Sequence, residues 1–514
     1  MASFGFLAFL VVFIAPLVLG SLPCSPIDFG RGSIVCECNA TYCDTVDPIN
    51  QVELGKYMQV FSDKSGARFA ISEGSFSDVA PPENSTAVKV TIDRNVKYQE
   101  ILGFGGAFTD AAGISIASLS QPLQEAILKQ YFDGEIGLNY SIARVPMAGT
   151  DFSTRTYSYN DVENDTSLSS FSLEPEDLQV KIPYVQMAKL LQPNLRLYAS
   201  PWSAPKWMKT NNEFYGMGSL KPEYYQVWAN YFVKFLESYA EHNITFWAVT
   251  AQNEPTDGNI PGFSFNCMGW TSSEQRDWIK NNLGPTLANS SHSDVKIIML
   301  DDQRIQILNW TRTVLSDPDA EKYVSGIGLH WYVDALVSPA ALDVAHSEFP
   351  NKFMLGTEAC AGALPLEESV VLGSWERAEM YASDIITDLN HWVTGWVDWN
   401  IALNMTGGPN WAHNEVDSPL IVDEYMDVFY KQPMFYALGH FSKFIPAGSI
   451  RIHHETGSFA GLEILTCLRP DGQIAVVILN LMTENAVELQ LTDSERGNME
   501  LLIAPDSIYT LVYA

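Results

Sequence analysis

The chain has 514 residues, of which 46% are hydrophobic and 12% aromatic, a composition typical of an ordered globular protein with room for two to four domains. Its 30 basic and 61 acidic residues give a formal net charge of −31. Phosphate groups repel such a chain, so a nucleic-acid partner is not expected. Strong attraction to an anionic membrane at neutral pH is disfavoured for the same reason.

The chain begins with an apolar segment that predicts entry into the secretory pathway. Residues 1–20 carry no charge, and the hydrophobic run from Phe4 to Leu19 is followed by Gly20, a small residue suited to cleavage. This pattern predicts a signal peptide over 1–20. A signal anchor is the alternative, because no Lys or Arg precedes the run, but 16 residues are short for a membrane span.

Cysteines and glycosylation motifs support the same compartment. Cys24, Cys36, Cys38 and Cys43 lie within 20 residues of one another, and oxidising conditions favour two disulfides there over a zinc site. Three pairings are possible, and the remaining three cysteines are expected to be free and buried. Eight glycosylation motifs occur, at Asn39, Asn84, Asn139, Asn164, Asn243, Asn289, Asn309 and Asn404.

The two ends of the chain are rich in strands and contain no convincing helix. In residues 50–98, the run Val88–Ile92 alternates with the period of a half-buried strand. In residues 448–514, the apolar run Ile474–Leu479 follows a turn that contains Pro and Gly. Neither piece alone has enough strands for a β-sandwich of about seven, so we expect the two to combine.

Strand and helix patterns alternate between these ends. The helix predicted over Lys221–Ala240 repeats aromatic residues every three or four positions. Eight strands are predicted: Ile101–Phe108, Ser141–Met147, Leu195–Ser200, Phe246–Gln252, Val295–Leu300, Gly326–Tyr332, Phe353–Glu358 and Gly395–Leu403. Eight such units over about 300 residues favour a (β/α)8 barrel of the α/β class, and a doubly wound open sheet is the alternative.

Two glutamates stand at the ends of predicted strands. Glu254 follows the fourth strand and Glu358 ends the seventh, so a barrel would direct both into one pocket at its C-terminal face. Paired carboxyl groups suit glycosidic bond cleavage, because one is protonated to assist the leaving oxygen and the other is ionised. Solvated glutamates without a catalytic role are the alternative interpretation.

The other strand ends carry residues typical of a carbohydrate site. Tryptophan faces stack on sugars, while Asp and Asn bind hydroxyl groups. The candidates are Arg144, Asp151, Trp202, Asn253, His330, Tyr332, Trp399 and Asn400. The sequence has no metal-ligand spacing and no Gly-x-Ser-x-Gly motif, so we expect neither a metal nor another cofactor and disfavour a serine hydrolase.

Long motifs then identify a resemblance that runs from Cys24 almost to the C-terminus. The chain closely resembles glycoside hydrolase family 30. The motifs are Cys36–Asp44, Gly103–Ala107, Ala199–Trp202, Phe246–Pro255, Leu300–Arg304, His330–Tyr332, Gly408–Trp411 and Lys431–Tyr436.

The resemblance implies a retaining β-glucosidase that cleaves glucosylceramide at acidic pH in sphingolipid degradation. It implies that Glu254 is the acid/base, with a pKa raised by the nearby charge of Glu358, and that Glu358 is the nucleophile. Arg144 and His330 would support Glu358. The implied substrate-binding residues are Asp151, Trp202, Asn253, Tyr332, Trp399 and Asn400, with the two tryptophans flanking the sugar.

The family's fold also implies how the chain is divided. A barrel would use residues 99–403 plus 433–447, and a β-sandwich would use 50–98 plus 448–514. A small antiparallel domain would use 21–49 plus 404–432, with disulfides Cys24–Cys36 and Cys38–Cys43. The implied partners are a glycolipid substrate, a membrane surface, a saposin-like activator and a lysosomal sorting receptor. The implied location is the lysosome, with secretion as the alternative.

Three sites depart from the family pattern, among them Gly149-Thr150 in place of Ser-Cys and His413 in place of Arg, and two other functions stay open. The family's Ala-Glu-Asn-Glu-Pro reads Ala251-Gln252-Asn253-Glu254-Pro255 here, which removes one carboxylate beside the acid/base. The same chemistry could act on a steryl glucoside or another β-glucoside. A secreted lectin or lysosomal chaperone could have kept the fold without catalysis, although the presence of both glutamates disfavours this.

Overall fold

A computed structural model describes residues 22–47, 51–78, 85–364, 366–457 and 459–514. The predicted signal peptide lies outside these residues. In the described ranges the strands are β1 Pro26–Asp28, β2 Ile34–Asn39, β3 Lys56–Asp63, β4 Ala70–Ser75, β5 Val88–Glu100, β6 Gly103–Ala107, β7 Ile142–Met147, β8 Arg196–Pro201, β9 Ala248–Thr250, β10 Lys296–Gln303, β11 Val324–His330, β12 Phe353–Glu358, β13 Val393–Asn400, β14 Leu403–Asn404, β15 Leu420–Asp423, β16 Val428–Lys431, β17 Ile450–Thr456, β18 Leu462–Leu468, β19 Ile474–Asn480, β20 Val487–Asp493, β21 Gly497–Ile503 and β22 Ser507–Tyr513.

Most of the helices alternate with the central strands. They are α1 Asp110–Ala117, α2 Gln121–Phe132, α3 Ile182–Leu191, α4 Tyr225–Ala240, α5 Ser272–Trp278, α6 Gly284–Ala288, α7 Ile307–Val314, α8 Pro318–Glu321, α9 Ala340–Glu348, α10 Trp375–Asn390 and α11 Pro433–Ser442. Among the described residues, none of these helices combines the length and the apolar character needed to cross a bilayer.

The eight strands β6 to β13 close into a parallel barrel. This confirms the predicted barrel and excludes the open sheet. The fourth strand is shorter than predicted, because only Ala248–Thr250 pairs with β8 and β10. Beyond it the chain turns, and Glu254 takes the left-handed backbone conformation with φ 39°. The turn moves this glutamate off the strand axis and to the edge of the barrel mouth.

Helix α4 shows how the sequence pattern places a helix against the barrel. Its residues Trp228, Phe232 and Phe235 are buried, as their spacing predicts. The helix begins at Tyr225 instead of Lys221, because Pro222–Tyr224 forms a 3₁₀ turn. Proline lacks the N–H group that an internal helical turn needs, so it stands at the start of this segment.

A nine-stranded sheet combines the two ends of the chain, in the order β21-β20-β5-β17-β18-β19-β22-β3-β4. Strands distant in this order share one apolar core, in which Val90 and Leu489 join Val476 of β19. The opposite face of β19 presents Val477 and Leu479 to the core that contains the barrel helices. The predicted combination of the two strand-rich ends is therefore confirmed.

The small sheet has the order β1-β2-β16-β15-β14. Its pairs are antiparallel except β14 with β15, which is parallel. The disulfides are Cys24–Cys36 and Cys38–Cys43, as the resemblance implied. Cys267, Cys360 and Cys467 are free and buried, as expected. The division of the chain into domains at the boundaries given above stays a prediction.

Candidate active site

The C-terminal ends of the barrel strands surround a cavity of about 320 Å³. Both glutamates line it, together with four other candidates from the sequence: Asp151, Trp202, Tyr332 and Trp399. Strand ends on the same rim of a parallel barrel converge in this way regardless of their distance in sequence. The structure therefore brings together side chains that are more than 200 residues apart in the chain.

Glu358 ends β12 and has three cationic or hydroxyl neighbours. The Arg144 guanidinium contacts its Oε2, and the Tyr332 hydroxyl donates to its Oε1 at 2.8 Å. His330 Nδ1 lies 4.0 Å from the same Oε1. Burial raises the pKa of Glu358 above its ordinary value, and the charges of His330 and Arg144 act against this rise. The contacts orient the carboxylate toward the cavity.

Arg144 is fully buried and connects four strands beneath the cavity. Besides Glu358, its guanidinium donates to Asn253 Oδ1 at 2.8 Å, to Asp301 Oδ2 at 2.9 Å and to Ser200 Oγ at 3.1 Å. A planar guanidinium presents five donors in a fixed geometry, so it can hold several acceptors in place at once. Asn253 is held as an acceptor here and does not line the cavity.

His330 at the end of β11 bridges two carboxylates. Its Nδ1 lies 3.1 Å from Glu254 Oε1, and its Nε2 lies 3.0 Å from Asp301 Oδ1. Burial acts to lower the pKa of His330, but the carboxylates around it prevail and raise it to about 10. The ring is therefore an imidazolium that donates from both nitrogens.

Glu254 receives two donors on one oxygen. Gln303 Nε2 donates to Oε1 at 2.9 Å, and His330 donates to the same atom. Burial acts to raise the pKa of Glu254, but the hydrogen bond and positive charge of His330 outweigh it, and the pKa is lowered. The expectation of a raised pKa at Glu254 is therefore wrong, because His330 contacts this carboxyl at 3.1 Å and lowers its pKa through a hydrogen bond and its charge.

The two glutamates approach each other closely. One carboxylate oxygen of Glu254, one of Glu358 and a ring nitrogen of His330 all lie within 4.8 Å of one another. Retaining glycosidases place their carboxyl groups about 5–5.5 Å apart, while inverting enzymes need about 6.5–9.5 Å to admit water. This close approach of two carboxylate oxygens agrees with the shorter class.

Trp202 and Trp399 stack on each other instead of facing each other across the cavity. Their ring centroids are 4.9 Å apart and their planes meet at 15°. The Arg144 guanidinium lies 4.8 Å and 5.3 Å from the two centroids. No sugar fits between rings at this distance, so the pair offers one aromatic surface to the cavity.

The last two predicted binding residues differ in position. Asp151 lines the cavity, accepts from Asn414 Nδ2 at 3.1 Å, and burial raises the pKa of its carboxyl to about 7. Asn400 is fully buried and does not line the cavity. Its Oδ1 accepts from the Thr109 hydroxyl at 2.7 Å, and its Nδ2 has no hydrogen-bond partner in the described part of the chain.

Sequence reasoning missed the acidic end of β10 and one acidic residue after β9. Asp301 is buried and accepts from Arg144, His330 and Thr357. Asp257 lines the cavity beside Glu254. The sequence offered a signal for the first, because Asp301 follows the apolar strand residues 297–300 as Glu358 follows its own strand. For Asp257 it offered none, since a loop carboxylate is ordinary.

Within the described ranges three groups of side chains have the spacing of metal ligands. In the group of Cys38, Cys43 and Asp44 the two cysteines form a disulfide, and each of the other two groups surrounds or contacts an arginine. One is the pair of glutamates with His330, which Arg144 contacts. The other is Asp334, Asp384 and Asp388, whose carboxylates surround the Arg304 guanidinium. The guanidinium supplies the positive charge that a cation would bring.

Comparison with known proteins agrees with this geometry. The family model described as the glycosyl hydrolase family 30 TIM-barrel domain matches residues 101–445. The chain belongs to glycosyl hydrolase family 30. The family's beta sandwich domain model matches residues 448–511, so both parts of the chain carry the family's pattern. The chain is a glycosidase.

The similar proteins cover nearly the whole chain. It is 48% identical over 500 residues to lysosomal acid glucosylceramidase of Mus musculus, covering 96% of each chain. It is 44% identical to putative glucosylceramidase 3 of Caenorhabditis elegans over 501 residues, covering 96% of this chain and 95% of the other. Among solved structures, SrfJ from Salmonella typhimurium superposes with a TM-score of 0.82 at 28% identity, covering 89% of this chain and 99% of its own.

Proposed function

We propose that this family 30 glycosidase is a retaining β-glucosidase that hydrolyses glucosylceramide to glucose and ceramide. The observation that carries the proposal is the pair of carboxyl groups whose nearest oxygens lie within 4.8 Å at the barrel mouth. The names of the mouse and nematode relatives support the choice of substrate.

In the first step Glu358 attacks the anomeric carbon of glucose while the glycosidic oxygen takes a proton from Glu254. The C–O bond to ceramide breaks, and a bond from carbon to the Glu358 oxygen forms. Arg144 and Tyr332 keep the attacking carboxylate oriented before the step. A fixed arrangement of this kind lowers the barrier because little reorientation remains to be done.

In the second step water replaces Glu358 on the anomeric carbon. Glu254, now ionised, accepts a proton from this water, and the carbon–oxygen bond to Glu358 breaks. Two inversions leave glucose in its original β configuration. His330 and Gln303 hold Glu254 at the same place in both steps, because each donates to its Oε1.

The cavity has the surfaces that bind one glucose unit. Asp151 supplies a carboxylate for sugar hydroxyl groups, and the Trp202–Trp399 pair supplies an aromatic face. We propose that Asn253 acts from the cavity edge and that Asn400 acts indirectly, by holding Thr109 at the end of β6.

The lipid part of the substrate has an apolar path away from the sugar. A second cavity of about 840 Å³ adjoins the first and shares Tyr332, Cys360 and Leu364 with it. Leu336 and Leu364 line this second cavity and are exposed. We propose that the alkyl chains of ceramide enter here and that the rim contacts a membrane surface.

The relatives' names also support a cellular setting. We propose residence in the lysosome, where the sequence pI of about 4.5 would leave little net charge. A saposin-like activator and a lysosomal sorting receptor are the proposed partners, and secretion is the alternative.

One assay tests the proposal directly. Purified protein is incubated at about pH 5 with glucosylceramide in mixed vesicles, a steryl glucoside and a soluble β-glucoside. The proposal expects glucose release from glucosylceramide at the highest kcat/KM, and proton NMR to show β-glucose first. A preference for another glucoside would change the substrate, and α-glucose as first product would overturn retention. Absence of turnover on all three would favour a lectin or chaperone.

A further inference from the structure

An acidic side chain without an assigned role touches the acid/base. Asp257 lies three residues after Glu254, in the 3₁₀ turn Asp257–Asn259. Its backbone N–H donates to the Glu254 carbonyl at 3.0 Å, which fixes the turn. Its carboxyl group hydrogen-bonds to the Glu254 carboxyl, and both side chains line the cavity.

A hydrogen bond between two carboxyl groups requires a proton on one of them, because carboxylates only accept. Glu254 Oε1 already accepts from Gln303 and His330, which favours the ionised form of Glu254. Asp257 has no such cation among its nearest charged neighbours. The proton of the pair therefore lies on Asp257 in the free enzyme.

The remaining surroundings favour the same location. Asp257 faces Glu254, Asp302 and Cys267, which are all anionic when ionised. Burial and then the charge of Glu254 raise the pKa of Asp257 well above its ordinary value. The charged or titratable groups that act on Glu254 are His330, Arg144, Asp257, Asp302, Glu358, Asp151 and Cys267.

Asp302 differs from Asp257 in what its carboxylate holds. Its Oδ2 accepts from the Thr256 N–H and hydroxyl, and its Oδ1 accepts from the Gln303 N–H. Burial and then the charge of Glu254 raise the pKa of Asp302 to about 6, while these donors act to lower it and fix the backbone on either side of the site. Asp257 is the acidic neighbour that hydrogen-bonds to Glu254 and can exchange a proton with it.

We propose that Asp257 is a positioning residue that stores the proton which Glu254 delivers to the leaving oxygen. The inference rests on the proposed roles of Glu254 and Glu358. When the C–O bond to the leaving group breaks, the proton of Asp257 moves to Glu254 and from Glu254 to that oxygen, which leaves both carboxyl groups ionised. In the second step water gives a proton to Glu254, which returns it to Asp257, so the pair ends as it began.

The amide nitrogen of the neighbouring Gln252 donates to the Pro201, Trp202 and Asn253 carbonyls at 3.2, 2.9 and 2.9 Å. Gln252 is therefore held by the backbone, and Asp257 is the side chain that pairs with Glu254 from this part of the chain.

The test compares Asp257→Asn, Asp257→Glu and the exposed control Asp294→Asn. Two β-glucosides are used, an alkyl glucoside that needs acid assistance and 2,4-dinitrophenyl β-glucoside that does not. We expect Asp257→Asn to lower kcat/KM for the alkyl glucoside about 100-fold, in the range of general acid catalysis, and to leave the dinitrophenyl substrate within about threefold. The alkaline limb of the pH profile of kcat/KM should move to lower pH by about one unit, because Glu254, whose pKa His330 lowers, must then hold the proton itself. Asp257→Glu should restore most of the kcat/KM for the alkyl glucoside and reverse most of the shift of the alkaline limb. Asp294→Asn should match the unsubstituted chain in both measurements.

Equal losses on both substrates with an unmoved alkaline limb would mean a structural role and overturn the proposal. A readout without turnover separates this from failure of the proposed function. The infrared difference spectrum of the unsubstituted chain minus Asp257→Asn at about pH 7 should contain the carbonyl band of a protonated carboxyl group. Its absence would overturn the proton store even in an active enzyme, and its presence in an inactive chain would refute only the glucosidase function.

Discussion

The guanidinium of Arg144 and the carboxylate of Glu358 are in contact beneath the barrel mouth, and both are shielded from solvent. Two charges in such a place stabilise each other only when their remaining hydrogen-bonding groups are satisfied. Asn253, Asp301 and Ser200 accept the other donors of Arg144, and Tyr332 donates to Glu358. The contact therefore belongs to the stability of the barrel as well as to its chemistry.

Replacing Arg144 with Met should be costly, because it leaves Asp301 and Glu358 buried without their cation. We expect the free energy of unfolding to fall by about 3–5 kcal/mol, the range for a broken buried ion pair, and activity to be lost. Urea unfolding at about pH 6 measures the free energy of unfolding. Arg144→Lys is the control, since it keeps the charge but not the planar donor set. Its free energy of unfolding should lie between those of the unsubstituted chain and Arg144→Met. Equal stability of all three proteins would contradict the prediction.

Glu358→Gln tests the proposed nucleophile. The amide keeps the shape and can still accept from Tyr332, so we expect the melting temperature to change by only a few degrees. Without an ionised oxygen no glycosyl bond forms, and kcat should fall by at least about 10⁴-fold, the size of the largest single effects of catalytic groups. Steady-state turnover of a dinitrophenyl glucoside measures this. Residual activity above one per cent would exclude Glu358 as the nucleophile.

Glu254→Ala tests the proposed acid/base through chemical rescue. With a dinitrophenyl glucoside the first step needs no acid, so deglycosylation becomes limiting and should slow by about 10²–10⁴-fold. Azide needs no base, and we expect it to restore turnover and to yield β-glucosyl azide. Glu358→Gln with azide is the control and should show no rescue. Formation of the α azide would contradict a retaining mechanism.

The sequence predicts the parts of this site that depend on strand ends, and it fails where side chains meet across the barrel. Glu358 follows an apolar run, and its position on the rim needs only the barrel. The stacking of Trp202 on Trp399 depends on the register between strands that are not adjacent in sequence. The lowered pKa of Glu254 depends on His330 lying 3.1 Å away, which no spacing in the chain expresses.

The acidic group around Arg304 makes the free energy of unfolding of the chain depend on pH. One guanidinium faces three carboxyl groups, and it donates to Asp388 Oδ1 at 2.7 Å. Burial and then the charge of Asp384 raise the pKa of Asp388 to about 8. Burial also raises the pKa of Asp334, to about 9, with the charges of Asp388 and Asp384 adding to it. Two excess carboxyl groups are therefore easier to bury when they are protonated.

The sign of the effect follows from linkage. The pKa of Asp388 is higher in the folded chain than the value of about 3.9 in an unfolded chain, so its stabilising contribution is complete below about pH 4. That contribution is lost as the pH rises toward about 8. Asp388→Asn removes the titration, so the variant should lose less stability than the unsubstituted chain between pH 5 and pH 8. We expect a difference on the order of 2 kcal/mol, since each pKa unit corresponds to about 1.4 kcal/mol and relaxation reduces the sum. Urea unfolding at both pH values measures it, with exposed Asp277→Asn as the control for loss of one charge. If all three proteins lost the same stability over this range, the group around Arg304 would not hold protons in the folded chain.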